Sequence, residues 1–200
     1  MLPACLLVLV VMSAQAQEGQ DDPLPGFELL QPATDLDAPE PDPGRTSGYS
    51  AAQVAHGKYL VELLGCGSCH TDGALTGTPD DSHLLAGSSV GISYSDPFKQ
   101  KYPGVLYPAN LTPDRETGLG NWTHAQIKQV LQTGINPSGR HTLSVMPWTT
   151  YAKLSGEDAD AIVAYLRSLA PVKHAVPQNV APGTPASTSY IHFGIYRSTR

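Results

Sequence analysis

Apolar residues recur at helical spacing in three stretches of the chain. Val54, Gly57, Val61 and Leu64 fall on one face of a turn-by-turn repeat. Ser50 with Gln53 three residues later supplies a capping box for that helix, and Gly65 supplies its stop. A second helix is predicted from Thr123, capped with Gln126, along the stripe Ile127, Val130 and Leu131 to Gly134. A third starts at Ser155, carries Glu157 and Asp158 at its positive end, and buries Ala159, Ile162, Val163, Leu166 and Leu169 before Pro171. No run alternates apolar and polar residues as a half-buried strand does, so the pattern predicts an all-α domain. Gly inside a helix costs about 1 kcal/mol against Ala. Gly57 therefore predicts a close crossing of the first and last helices, with Tyr165 nearby.

The regions outside these helices differ in character. Residues 2–12 are almost continuously apolar and are followed by Ala14-Gln15-Ala16, which reads as a signal peptide over 1–16 with maturation before Gln17. It departs from the usual pattern in having no Lys or Arg at its start. The apolar run is too short to span a bilayer. Residues 17–48 hold eight acidic residues against the single Arg45, and six prolines. Such a segment buries little apolar surface, so it is read as a disordered acidic linker. The expected folded domain is 49–177. It is near neutral, with nine basic and ten acidic residues, and without a basic cluster it disfavours nucleic acid as a partner. Residues 178–200 form a Pro/Ser/Thr-rich C-terminal tail ending in an aromatic patch that could pack on the body. No transmembrane segment is expected in the mature chain.

Candidate chemistry centres on Cys66-Gly67-Ser68-Cys69-His70. Cys-x-x-Cys-His is the attachment signature of a c-type haem: two thiols on one turn meet two vinyl groups, and the next residue offers an imidazole to the iron. A structural disulfide, a thioredoxin-like dithiol and a zinc site are the alternatives. The dithiol expects a strand before the motif, whereas a helix is predicted there. Zinc needs four ligands and the chain has no second Cys pair. One motif implies one haem. Removing the leader removes Cys5 and leaves Cys66 and Cys69 as the remaining thiols.

The mature chain has one methionine, Met146, in Val145-Met146-Pro147-Trp148 between two predicted helices. A thioether is a soft axial ligand that raises the iron potential, and Pro147 stiffens the loop. The plainer reading is that Met146 fills core space. The rival ligands are His56, His83, His124, His141, His174 and His192, with His141 the nearest to Met146 in sequence. A vacant or labile sixth position would instead make a haem enzyme such as a peroxidase.

Several motifs together resemble class I c-type cytochrome domains, most closely those of the cytochrome subunits of bacterial alcohol, aldehyde and sugar-acid dehydrogenases. They are the Cys66–His70 motif, Ala109-Asn110-Leu111-Thr112-Pro113-Asp114, Thr117-Gly118-Leu119-Gly120-Asn121-Trp122-Thr123, the Met146-Pro147-Trp148 loop with Tyr151, and 161–169. The resemblance covers about 50–175. It implies an all-α helical fold around one covalent haem c, with Cys66 and Cys69 as thioether donors and His70 and Met146 as axial ligands. Asn110, Thr112, Trp122, Pro147 and Trp148 would line the haem pocket, and the polar groups of the Asn110 loop would bond to a propionate. The implied function is one-electron transfer in the periplasm, without catalysis, between redox proteins such as a dehydrogenase or oxidase. Those subunits commonly carry three such domains and an anchor; one domain is expected here.

Overall fold

The computed structural model describes residues 28–33, 35–143 and 145–194. Five helices form its frame: α1 (Ala51–Leu63), α2 (Cys66–His70), α3 (His124–Thr133), α4 (Trp148–Tyr151) and α5 (Gly156–Ser168). Ser50, Thr123 and Ser155 each cap a helix through the side-chain oxygen, and Thr123 with Gln126 completes a reciprocal capping box. These caps satisfy amide donors that a helix leaves without partners.

The core lies between α1 and α5, with α3 against α5 and α4 against α3. Val54, Val61, Ile127, Ile162, Val163, Tyr165 and Leu169 are all buried there. Gly57 sits at the crossing. A Cβ at that position would overlap the Ala161 carbonyl oxygen and stand 2.7 Å from Tyr165 Cβ. Tyr165 itself is wholly enclosed.

The fold is not purely helical. A three-stranded sheet, β1 (Gly91–Ser93), β2 (Val105–Leu106) and β3 (Tyr190–Ile191), runs in the order β2-β1-β3. β1 pairs antiparallel with β2 (Ile92 with Leu106) and parallel with β3 (Ile92 with Ile191). Strands of two or three residues are too short to show alternation, and all three residues of β1 are buried. The described part of the tail thus joins the body as a strand.

The acidic segment also departs from the linker expected over 17–48. Its portion 35–45 lies against the helices. Ala38 is buried, and its amide donates to Glu62 Oε1 at 3.1 Å. Tyr165 Oη donates to the Pro39 carbonyl at 2.6 Å, the Asp42 amide donates to the Ser168 carbonyl at 2.8 Å, and Glu40 pairs with Lys58 at 2.9 Å. Backbone hydrogen bonds and one small buried side chain hold this strap, features that its acidic, Pro-rich composition hides. The expected signal peptide lies outside the described residues. Among the described residues no helix is long and apolar enough to cross a membrane.

Candidate functional site

α1 ends at a glycine that turns the chain. Gly65 takes φ +66°, a left-handed conformation that glycine adopts without strain, and α2 begins at once. One turn then displays Cys66 and Cys69, followed by His70. Among the described residues both thiols are unbridged. Burial pushes the Cys66 thiol up to about 12, with the nearby Cys69 adding to it, and burial raises Cys69 as well. These are not the low-pKa thiols of redox dithiols. No group of three or more His, Cys, Asp or Glu among the described residues could hold a metal ion, which removes support for a zinc site.

His70 is fixed through its ring. Nδ1 stands 2.7 Å from the Ala109 carbonyl oxygen. A carbonyl only accepts, so Nδ1 carries the proton and Nε2 keeps its lone pair. Burial lowers the imidazole pKa, opposed by the Ala109 carbonyl, and both the tautomer and the neutral form suit a metal ligand. The His70 backbone carbonyl accepts from Gly87 N at 2.8 Å. The buried Thr71 hydroxyl accepts from Leu85 N at 3.1 Å, holding Leu85 at φ 57°.

The Asn110 loop is a closed polar knot. Asn110 is 1% exposed. Its Oδ1 accepts from Thr112 N (2.9 Å) and Thr112 Oγ1 (2.7 Å), while its Nδ2 donates to Thr117 Oγ1 (3.0 Å) and the Val172 carbonyl (2.8 Å). Thr112 Oγ1 also accepts from Val172 N at 3.1 Å. The polar side-chain atoms of Asn110 and Thr112 thus meet partners within the protein. An amide has two donors and two main acceptor directions, and the protein takes all of them at Asn110.

Met146 is half-buried. It packs against the same apolar cluster as Cys66, Leu111 and Trp122. The Trp122 carbonyl accepts from Arg167 Nη1 at 2.7 Å. Pro147 is exposed and opens α4, its carbonyl accepting from Thr150 and Tyr151 amides. The Trp148 indole lies on Gly134, where a Cβ would come within 2.8 Å of Trp148 Cγ. Among the described residues, Trp148 Nε1 is the buried side-chain polar atom without a partner. Such an orphaned donor points to an acceptor that the polypeptide does not supply. Tyr151 joins this region to the thiols: burial raises its phenol to about 12, and the negative charge of Cys66 and Cys69 adds to the shift. Tyr151 stood in the sequence motif, but its closeness to the cysteines has no one-dimensional signal.

The rival histidines are mostly engaged elsewhere. His56 meets Asp158, His83 meets Asp80, His124 meets Asp160, His174 meets the Ala86 carbonyl, and His192 meets Ser93. His141 is exposed, its ring 6.2 Å from that of Trp148. The donor set therefore fits a covalently held haem: two thiols on one turn, an imidazole with Nε2 available, and a thioether on the cluster that Cys66 shares.

Comparison with known proteins agrees with this chemistry. A family profile described as Cytochrome c matches residues 54–170. The chain is 33% identical over 142 residues to a nicotinate dehydrogenase subunit of Pseudomonas putida, covering 71% of this chain and 11% of that protein. It is 30% identical over 155 residues to the fructose dehydrogenase cytochrome subunit of Gluconobacter japonicus, covering 77% of this chain and 29% of the relative. It is 34% identical over 131 residues to the cytochrome c subunit of the quinone alcohol dehydrogenase of Gluconobacter oxydans, covering 66% and 24% respectively. The chain thus spans between a tenth and three tenths of the length of these relatives.

Proposed function

Because this chain belongs to the cytochrome c family, we propose that it is an extracytoplasmic one-electron carrier serving a dehydrogenase or respiratory partner. In this reading Cys66 and Cys69 hold one haem c through thioether bonds, and His70 and Met146 are its axial ligands. The bound haem would supply an iron that cycles between ferrous and ferric states. The polypeptide's part is to bind, orient and exclude water. α2 aims both thiols from one turn, the Ala109 carbonyl holds the His70 proton on Nδ1, and the apolar cluster shared by Cys66 and Met146 keeps the site dry. Cys66 and His70 sit at the two ends of α2, so the thioether and imidazole donors are positioned as one rigid unit. The observation that carries the proposal is the His70 ring, locked at Nδ1 and free at Nε2 directly after two unbridged, half-buried thiols on one turn. Trp122 and Trp148 then belong to the pocket wall. The dehydrogenase partner is inferred from the relatives, two of which are cytochrome subunits of fructose and alcohol dehydrogenases.

The test is spectroscopic. The ferric wild type should show a sulfur-to-iron charge-transfer band, and Met146→Ala should lack it while keeping its covalent haem. A haem enzyme with an open sixth position shows no such band in the wild type. Colourless protein from a host competent in cytochrome maturation, with both thiols open to alkylation, would sink the proposal.

A further inference from the structure

We propose that Asn110 and Thr112 are positioning residues for the axial histidine, fixing the Ala109 carbonyl that holds His70 Nδ1–H and so tuning the iron potential. This rests on the reading of His70 as an iron ligand.

Ala109 is itself exposed, and an exposed peptide is free to swing unless its neighbours are held. Its neighbours are held on both sides. The Pro108 carbonyl accepts from Ser88 N at 3.0 Å, and Leu111 N donates to the Leu85 carbonyl at 2.8 Å. The 85–88 segment is in turn bonded to His70 and Thr71 backbone and side-chain atoms. A Cβ at Gly87 would come within 2.9 Å of both Asn110 N and the Pro108 carbonyl, so this segment presses directly on the peptide in question. Asn110 then ties the loop to the chain beyond α5 through the Val172 carbonyl, and Thr112 closes the ring by accepting from Val172 N. Four bonds on one buried amide are more than a turn requires. Their effect is to fix the peptide one residue before Asn110, whose carbonyl oxygen meets the imidazole at 2.7 Å.

The consequence is electronic. A hydrogen bond from the distal ring nitrogen makes a ligating imidazole more basic and orients it. A more basic ligand favours the ferric state and lowers the potential. Loosening the knot weakens that bond, so the midpoint potential rises.

The experiment uses the haem-loaded protein. Thr112→Val removes the hydroxyl at nearly constant shape, Thr112→Ser restores it, and Asn110→Asp removes the two donors. The expected result is a raised midpoint potential in Thr112→Val, the variant that adds no charge. Proton NMR should show faster solvent exchange of the His70 Nδ1–H in both Thr112→Val and Asn110→Asp, and Thr112→Ser should stay near wild type. Ser155→Ala, which loses a distant cap, should lose stability without moving either readout. Thr112→Val that loses stability with potential and exchange unmoved, or Asn110→Asp that loses stability with exchange unmoved, would overturn the proposal. So would rapid Nδ1–H exchange in the wild type, a measurement that needs no variant. Colourless wild type would sink the carrier reading as well, whereas coloured protein with an unmoved potential sinks this inference alone.

Discussion

Replacing Gly57 with Ala tests the packing that supports the site. At Gly57 a new Cβ would stand 2.6 Å from the Ala161 carbonyl carbon and 2.7 Å from Tyr165 Cβ, where ordinary contact begins near 3.4 Å. The two helices would have to part by more than about 0.8 Å, the shortfall at the carbonyl carbon, because the Ala161 carbonyl oxygen lies closer still. Overpacking of this kind costs about 1–3 kcal/mol. The clash is with backbone, so the upper part of that range applies. Against it, Ala gains about 1 kcal/mol in helix propensity. The net expectation is a loss of about 1–2 kcal/mol, a fall in Tm of about 2–8 °C for a protein of this size. Thermal and denaturant unfolding followed by far-ultraviolet circular dichroism on the haem-loaded protein would measure it. Adding Ala161→Gly should not restore stability, because none of the obstructing atoms belongs to the Ala161 side chain. A Gly57→Ala protein as stable as wild type, or about 1 kcal/mol more stable, would refute the close crossing.

Two further outcomes follow from the strap and the carboxylates. Tyr165→Phe removes the hydroxyl that donates to the Pro39 carbonyl; it should cost about 1 kcal/mol and speed protease cleavage before residue 45, which limited proteolysis would show. Hydrogen bonds from Ser82 and His83 hold the Asp80 carboxyl down at about 2, against an ordinary 3.8. A carboxylate depressed in the folded state stabilises above its unfolded pKa and loses that contribution as pH falls through the folded one. Stability should therefore decline between about pH 4 and 2, and Asp80→Asn should flatten that limb of the acid-unfolding curve.

The elements legible in sequence are those with local causes. Ser50, Thr123 and Ser155 cap helices because a hydroxyl three residues from an amide is a local arrangement. Gly57 could be read because an unfavourable residue in a good helix asks for a neighbour. The Cys66–His70 motif carries its chemistry in five residues. What escaped the sequence depends on distant partners. β3 pairs with β1 across almost a hundred residues, and neither strand is long enough to alternate. Ala38 looks like one residue of an acidic linker until Glu62 accepts its amide. The resemblance put Asn110 and Thr112 beside the haem, but their bonds to Val172 could not be read, since that segment follows the last helix. Tyr151 could not be seen beside the thiols because some eighty residues separate them in the chain.

The bond from Tyr165 to Pro39 joins residues 126 positions apart. During synthesis Pro39 leaves the ribosome long before Tyr165 exists. Until the final helix emerges, the N-terminal ribbon has its contacts with Glu62 and Lys58 of α1 but lacks those with Tyr165 and Ser168, and Leu36, which lies against Gly67, is held less firmly. The last helix to be made thus completes the cover over one side of the cysteine turn.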